Sequence, residues 1–344
     1  MRYSNLYPYP RTNTAHQLLL FGISKGLFVS LFSKTKKNAG WLAIGCHFDG
    51  VYAAYLKRSP SGKPSVELLS FYPSEKATIA VTLSKLAQDI NVNRYQCSHL
   101  LNIGEYQLLS IDPLNVPPDE LKKAVRWRLK DMLDYHVDDA TIDVLAIPID
   151  KNGPLHSNAL FAVVVRNQLI EQRQTLFEDA NIALRVIDIP EMAQRNIATL
   201  LEPEGHAVAL LSFNTEGGLI TISFAGELYL SRRMDTTITQ LQEADASQIT
   251  VIYERITLDL QRSLDHFDRQ YHALSLSKLI LSPMGEEGTG LQKYLSANLY
   301  IPIETLNLET ILDFSKVPEL YKIAHQQRYF ITLGAALRLD EKTL

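Results

Sequence analysis

Apolar and polar positions are patterned most clearly between Ala207 and Met234, where the chain reads AVALLSFNTEGGLITISFAGELYLSRRM. Apolar runs at Val208–Phe213, Leu219–Ile222 and Leu228–Leu230 are separated by Glu216-Gly217-Gly218 and by Ala225-Gly226. Glycine takes positive φ at little cost, so the pattern predicts three strands joined by two tight turns. A shorter copy lies near the front, WLAIGCHFDGVYAAYL at Trp41–Leu56, with Gly45 and then Asp49-Gly50 before Val51, Ala53 and Tyr55 resume the strand. Two such hairpins, far apart in one chain, predict a two-lobed fold built from a duplicated unit.

The remaining periodicities fill in an α/β order. Ser65–Tyr72 alternates and reads as a strand, and Ala77–Ile90 reads as a helix. Short strands follow at Ser98–Ile103 and Tyr106–Ile111, after which Asn115-Val116-Pro117-Pro118 interrupts the chain. Asp119 then opens a helix whose Leu121, Val125, Leu129 and Met132 share one face, with Arg126, Arg128 and Lys130 off it. Strands at Ile142–Ile149 and Ala159–Val165 flank an Asn152-Gly153 turn. Helix Gln168–Asp179, strand Leu184–Ile189 and a helix from Pro190 to about Leu201 come next. Residues from about 112 to 180 therefore read as a small helix-plus-hairpin subdomain inserted in a first lobe spanning 39–202. In the second lobe, 203–344, Ile249–Tyr253 fits either a short strand or a helix start. Ile256, Leu260, Leu264, Phe267 and Tyr271 form a helical stripe. Strand Lys278–Leu281, a glycine-rich turn at Gly285–Gly290, helix Leu291–Leu299, strand Ile301–Leu306 and helix Tyr329–Leu337 complete the chain.

Residues 1–38 differ from the rest. Their apolar stretches, Leu18–Phe21 and Leu27–Phe32, are broken by Gly22, Lys25 and Gly26, too short for a membrane span of about 20 residues and unlike a signal peptide. They read as a disordered extension or as sequence upstream of the physiological start, near Val29, with an interfacial segment on an anionic leaflet as the other reading.

Composition narrows the function. The chain has 344 residues, 46% hydrophobic and 21% charged, which suits about two domains with large cores. A net charge of −4 gives no global field to recruit nucleic acid. Cys46 and Cys97 are the only cysteines, and no pair is spaced for zinc or redox work. His136 with Asp138 and Asp139 reads as a solvated loop rather than a metal site, and His266 and His272 lack the spacing of a helical metal pair. The two glycine turns have backbone suited to a phosphate. Phosphoryl transfer would also need carboxylates on the entering strands to hold Mg²⁺. Those strands read Leu42-Ala43-Ile44-Gly45 and Leu211-Ser212-Phe213-Asn214, without an acid.

YQLLSIDPLNVPPDELKKAVRWRLKDML followed by TIDVLAIP, with DLQRSLDHFDRQ and LGAALR farther on, resembles the actin-like platform proteins of type IV pilus and type II secretion systems. The resemblance runs over roughly Leu31–Arg338 and is to the PilM/MshI type, nearest to MshI of MSHA pili; the cytoplasmic part of GspL is similar. It implies the actin/sugar-kinase/Hsp70 fold, two α/β lobes around a nucleotide cleft. Active relatives carry Asp-Ile-Gly in both phosphate loops and Gly-Gly in an adenosine loop. Here the first loop matches Ala43-Ile44-Gly45, the second Ser212-Phe213-Asn214 and the third Ser282-Pro283-Met284-Gly285, so all three depart from the pattern. The resemblance thus implies a pseudo-ATPase with no cofactor expected, although a cleft would leave room for weak ATP binding. It also implies a scaffold peripheral to the cytoplasmic face of the inner membrane. Its partners would be a PilN/MshJ-like bitopic protein and other platform proteins, and the partner's N-terminal peptide would dock between the first lobe and the inserted subdomain. Arg126, Trp127 and Arg128 on the subdomain helix are the candidate contacts, arginine and tryptophan being common binding hot spots. The alternative is an active actin-like ATPase or nucleotide-dependent switch in the same machinery, with Asp49 and Glu216 as its nearest carboxylates.

Overall fold

A computed structural model describes residues 40–339, apart from 59–61, 75–77, 113, 115, 118–119 and 148–159. The extension expected at 1–38, the Asn152-Gly153 turn and the acidic helix opening at Asp119 lie outside the described residues. The two hairpins seed two sheets of matching plan. In the first lobe, β1 (Trp41–His47) pairs antiparallel with β2 (Gly50–Lys57), and β2 with β3 (Ser65–Pro73). On its other side β1 pairs parallel with β4 (Gln96–Leu100), and β4 with β8 (Leu184–Asp188). The second lobe repeats this with β11 (Glu227–Met234), β10 (Gly217–Phe224), β9 (Ala207–Asn214), β12 (Leu276–Leu281) and β13 (Ile303–Thr305), in that order. The central strands β1 and β9 are almost wholly buried, as apolar runs covered on both faces require.

Between the lobes lies α4 (Pro190–Ala198), begun by Pro190, whose fixed φ suits the first turn. It crosses α8 (Ile323–Ala336) closely. Asn196 Nδ2 donates to the Gly334 carbonyl at 3.0 Å, and a Cβ at Gly334 would collide with the Ala193 carbonyl. The LGAALR sequence thus serves this helix crossing. The long stripe becomes α6 (Ala246–Gln270), with Ile256, Leu260 and Phe267 buried. Asp245 and Gln248 cap it reciprocally, so Ile249–Tyr253 is helix rather than strand.

Several boundaries differ from expectation, among them that of α8, which starts at Ile323 rather than Tyr329. The glycine-rich stretch at Gly285–Gly290 is the start of α7 (Glu286–Asn298), not a turn. Its glycines are there for packing: a Cβ at Gly288 would lie 2.7 Å from Met284 Cβ, and one at Gly290 2.6 Å from the Tyr253 hydroxyl. The inserted subdomain begins earlier and ends earlier than 112–180. Its antiparallel sheet has the order β5-β7-β6, from β5 (Gln107–Ile111), β7 (Leu160–Arg166) and β6 (Ala140–Ala146), with α2 (Leu121–Leu129) on one face through Val125 and Leu129. The following helix α3 (Asn167–Asp179) joins the first lobe, because Phe177 packs with Leu83 and Leu86 of α1 (Ile79–Asp89). The strand expected at Ser98–Ile103 ends at Leu100, and residues 101–106 form a loop.

Candidate functional site: an interlobe cleft and a junction groove

The two hairpin turns, α8 and the loop after β4 enclose a cleft of about 320 Å³. Ser212, Asn214 and Ser282 line it, with His47, Phe48 and Asp49 from the first turn and Thr332 and Arg328 from α8. Ala43 is not in the wall; it is buried in β1 beside Ala54 and Ser98. Gly45 lies one layer closer, where a Cβ would meet His47 Nε2 at 2.9 Å. Pro283 is buried and is not in the cleft wall, and Gly285 caps α7, its N–H donating to Glu287 Oε1 at 3.2 Å.

At the two turns, groups that would meet an anion already hold each other, whereas Arg233 Nη1 and Gln327 Nε2 elsewhere in the wall have no hydrogen-bond partner. At the second turn, Asn214 Oδ1 accepts from the backbone N–H of Glu216 at 2.8 Å and of Gly217 at 3.0 Å. This side-chain turn occupies the amides that a phosphate would need. Ser212 Oγ donates to Gln194 Oε1 at 2.6 Å, and Gln194 Nε2 in turn bonds the Leu210 carbonyl and Thr221 Oγ1. Position 212 is therefore part of a buried polar network that ties α4 to the second sheet. At the first turn, Tyr52 donates to Asp49 Oδ2 at 2.5 Å, and Arg328 reaches the Tyr52 hydroxyl at 3.0 Å and Asp49 at 3.4 Å. The Arg328 guanidinium also stacks on Phe71 at 3.9 Å.

The carboxylates in the wall are Asp49 and Glu216, and both are engaged. Burial raises the Glu216 pKa, opposed by the Ile103 backbone across the cleft. Burial lowers the His47 pKa, which favours a neutral ring rather than a cation for phosphate. Behind it, burial pushes His99 down to about 3 and the Cys46 thiol up to about 12. The turns fit a magnesium nucleotide poorly: the second-turn amides are capped by Asn214, and Asp49 is tied to Tyr52 and Arg328. Among the described residues, no group of three His, Cys, Asp or Glu is arranged to hold a metal ion.

A second cavity, about 310 Å³, lies where the inserted subdomain meets the first lobe. Gly104–Gln107 form one side, Val164 and Arg166 of β7 with Tyr135 another, and Gln168, Leu169 and Gln172 of α3 the third. Arg166 lies 3.8 Å above the Tyr135 ring and 3.4 Å from Asp134. Gln107, Gln168 and Gln172 are exposed on its rim, while Val164 is buried. Amide side chains both donate and accept, which matches the alternating groups of an extended backbone.

Arg126, Trp127 and Arg128 do not line this groove. They lie on α2, on the sheet face that also carries Gln107 and Val164 at the groove. Arg126 pairs with Asp138 at 2.6 Å and Arg128 with Asp112 at 3.4 Å, both as exposed ion pairs within the subdomain. Trp127 is 75% exposed, with Lys130 Nζ 5.6 Å from its ring centre. Sequence reading missed the Asp49–Arg328 cluster and the groove rim. The first joins residues 279 positions apart, and the second is polar surface without a motif.

No family model and no curated protein matches the chain. Among solved structures it is similar to the PilM-PilN type IV pilus biogenesis complex, with 16% identity and a TM-score of 0.68 over 89% of this chain and 98% of that one. A Bacteroides thetaiotaomicron protein with an actin-like ATPase fold and unknown function aligns at 10% identity and a TM-score of 0.47, over 85% of this chain and 100% of that one. The cytoplasmic domain of EpsL, an inner membrane component of the type II secretion system of Vibrio cholerae, aligns at 12% identity and 0.43, over 76% and 97%. With two lobes of matching strand order around a cleft, the chain has the actin-like ATPase fold.

Proposed function

We propose that this chain is a non-catalytic adaptor of a pilus or secretion platform, holding the cytoplasmic tail of a bitopic membrane partner of the PilN/MshJ kind. The reading places it peripherally at the inner membrane, in an MSHA-type pilus or a related type II machine. The groove between the inserted subdomain and the first lobe carries it: a cavity with an apolar floor and an amide rim suits a short extended peptide. The structural likeness to the PilM-PilN complex and the RWRLK-centred sequence resemblance support the same partner class. Trp127 would add a contact beyond the tail. The capped second turn supports a pseudo-ATPase, because with its amides occupied and Asp49 held by Tyr52 and Arg328 the turns offer no ready seat for magnesium and a transferring phosphoryl group. No described helix is long and apolar enough to cross a membrane.

The test is calorimetric titration with a synthetic peptide of the N-terminal cytoplasmic residues of the neighbouring PilN/MshJ-like protein. The peptide is expected to bind, and Gln172→Arg, a change confined to the exposed rim, to weaken it at least tenfold, about 1.4 kcal/mol. Equal binding by wild type and variant would move the tail away from the groove; no binding would end the adaptor reading.

A further inference from the structure

The cleft and the groove share a wall. Ile103 faces the cleft, and the next four residues line the groove. This loop is tied into both lobes. The Ile103 backbone faces the Glu216 carboxylate of the second lobe across the cleft. The Tyr106 hydroxyl bonds the Glu191 carboxylate at the start of α4, and Arg233 of β11 bonds both, its Nη2 lying 2.7 Å from Glu191 Oε1. Glu105 pairs with Arg173 and accepts from the Asn102 amide at 2.9 Å, while Asn102 Nδ2 donates to the Cys46 carbonyl of β1 at 2.8 Å. Arg233 and Glu216 line the cleft, whereas Glu105 and Tyr106 line the groove. Gly104, at φ +85° with no atom within 4 Å of a Cβ built on it, gives the loop an unpacked pivot.

We propose that this loop couples the two cavities, so that a peptide seated in the groove fixes the Ile103–Tyr106 segment and thereby sets the closure of the lobes, with side chains bridging the cleft where a nucleotide does so in an active actin-like protein. The inference rests on the groove being the tail site. Its physical basis is that Glu191 is buried, so a displaced Tyr106 must carry Glu191 and Arg233 with it or leave a buried carboxylate short of partners. A ligand that holds one position of the loop then favours one lobe arrangement through its unequal affinity for the two.

Hydrogen exchange of the full chain tests this, read at the Thr215–Gly217 amides, which border the cleft and not the groove. Saturating tail peptide is expected to slow these amides at least fivefold. Glu216→Ala and Arg233→Met, neither of which lines the groove although Arg233 touches Tyr106 from behind, are each expected to weaken the peptide three- to tenfold. Peptide binding with unchanged exchange and unchanged affinity in both variants overturns the coupling and leaves the adaptor reading intact. A second arm needs no peptide. Tyr106→Phe removes only the hydroxyl, and exchange at Thr215–Gly217 is expected to rise at least threefold; unchanged rates overturn the coupling whatever the tail does.

Discussion

The cleft and the groove are almost the same size, about 320 and 310 Å³, and differ in what their polar groups are doing. In the cleft, polar groups face inward to one another: Asn214 caps its own turn, Ser212 serves Gln194, and Asp49 serves Tyr52 and Arg328. In the groove, three glutamines on the rim are exposed to solvent. A turn whose donors and acceptors are already paired gains little from a polar ligand, since each new hydrogen bond replaces an existing one. A solvent-exposed rim exchanges bonds to bulk water for a ligand's. Cavity size alone would have made the two equal candidates; the hydrogen-bond inventory separates them.

The largest expected effect breaks the comparison at position 212. Restoring the carboxylate of active relatives by Ser212→Asp places a charge in a buried network and opposite Gln194 Oε1. The expected loss is on the order of 3 kcal/mol, read by denaturant unfolding, with no gain of MgATP hydrolysis. A variant as stable as wild type would show the cleft to be more open to anions than its network implies.

The pH axis sharpens the same contrast, because beneath the cleft His99 is fully buried, its Nδ1 3.1 Å from the Ile44 carbonyl. Burial lowers its pKa from 6.5 to about 3. Unfolding therefore takes up a proton in this window, so the neutral ring's stabilisation is fully present above about pH 6.5 and is lost progressively as pH falls towards 3. Unfolding midpoints measured from pH 7 to 4 are expected to fall, with His99→Gln showing a shallower slope. An equal slope in that variant would assign the acid sensitivity to other groups.

The smallest effect lies outside both cavities. Trp127→Ala, at an exposed position, is expected to change stability by less than about 0.5 kcal/mol and to weaken tail binding two- to threefold. A tenfold loss would transfer the main contact from the groove to α2.

Much of the fold could be read from sequence because strands and helices announce themselves locally. The β9–β10–β11 meander, the β1–β2 hairpin and the α6 stripe follow from alternation, turn glycines and a 3.6-residue period. The sequence reading of Gly285–Gly290 as a turn failed because Gly288 and Gly290 were chosen by neighbours, Met284 and Tyr253, rather than by backbone conformation. The subdomain's far edge was misplaced for a similar reason: whether α3 belongs to the insert or the lobe depends on what Phe177 touches, not on helix periodicity. For the site, the missing acids at 43 and 212 were visible, but their replacements were not. Asn214 capping its own turn is a local motif that sequence could have suggested. The Arg328–Asp49 and Arg233–Glu191 pairs join distant segments, and only the folded lobes bring them together.

The most direct test of the account is a pair of titrations of the purified full chain, one with MgATP and one with the partner-tail peptide. The peptide is expected to bind, and MgATP to give no detectable heat up to millimolar concentration. Micromolar MgATP binding would contradict it: the Asn214 cap and the Asp49–Arg328 cluster would then give way to phosphate, and the chain would be a working nucleotide switch.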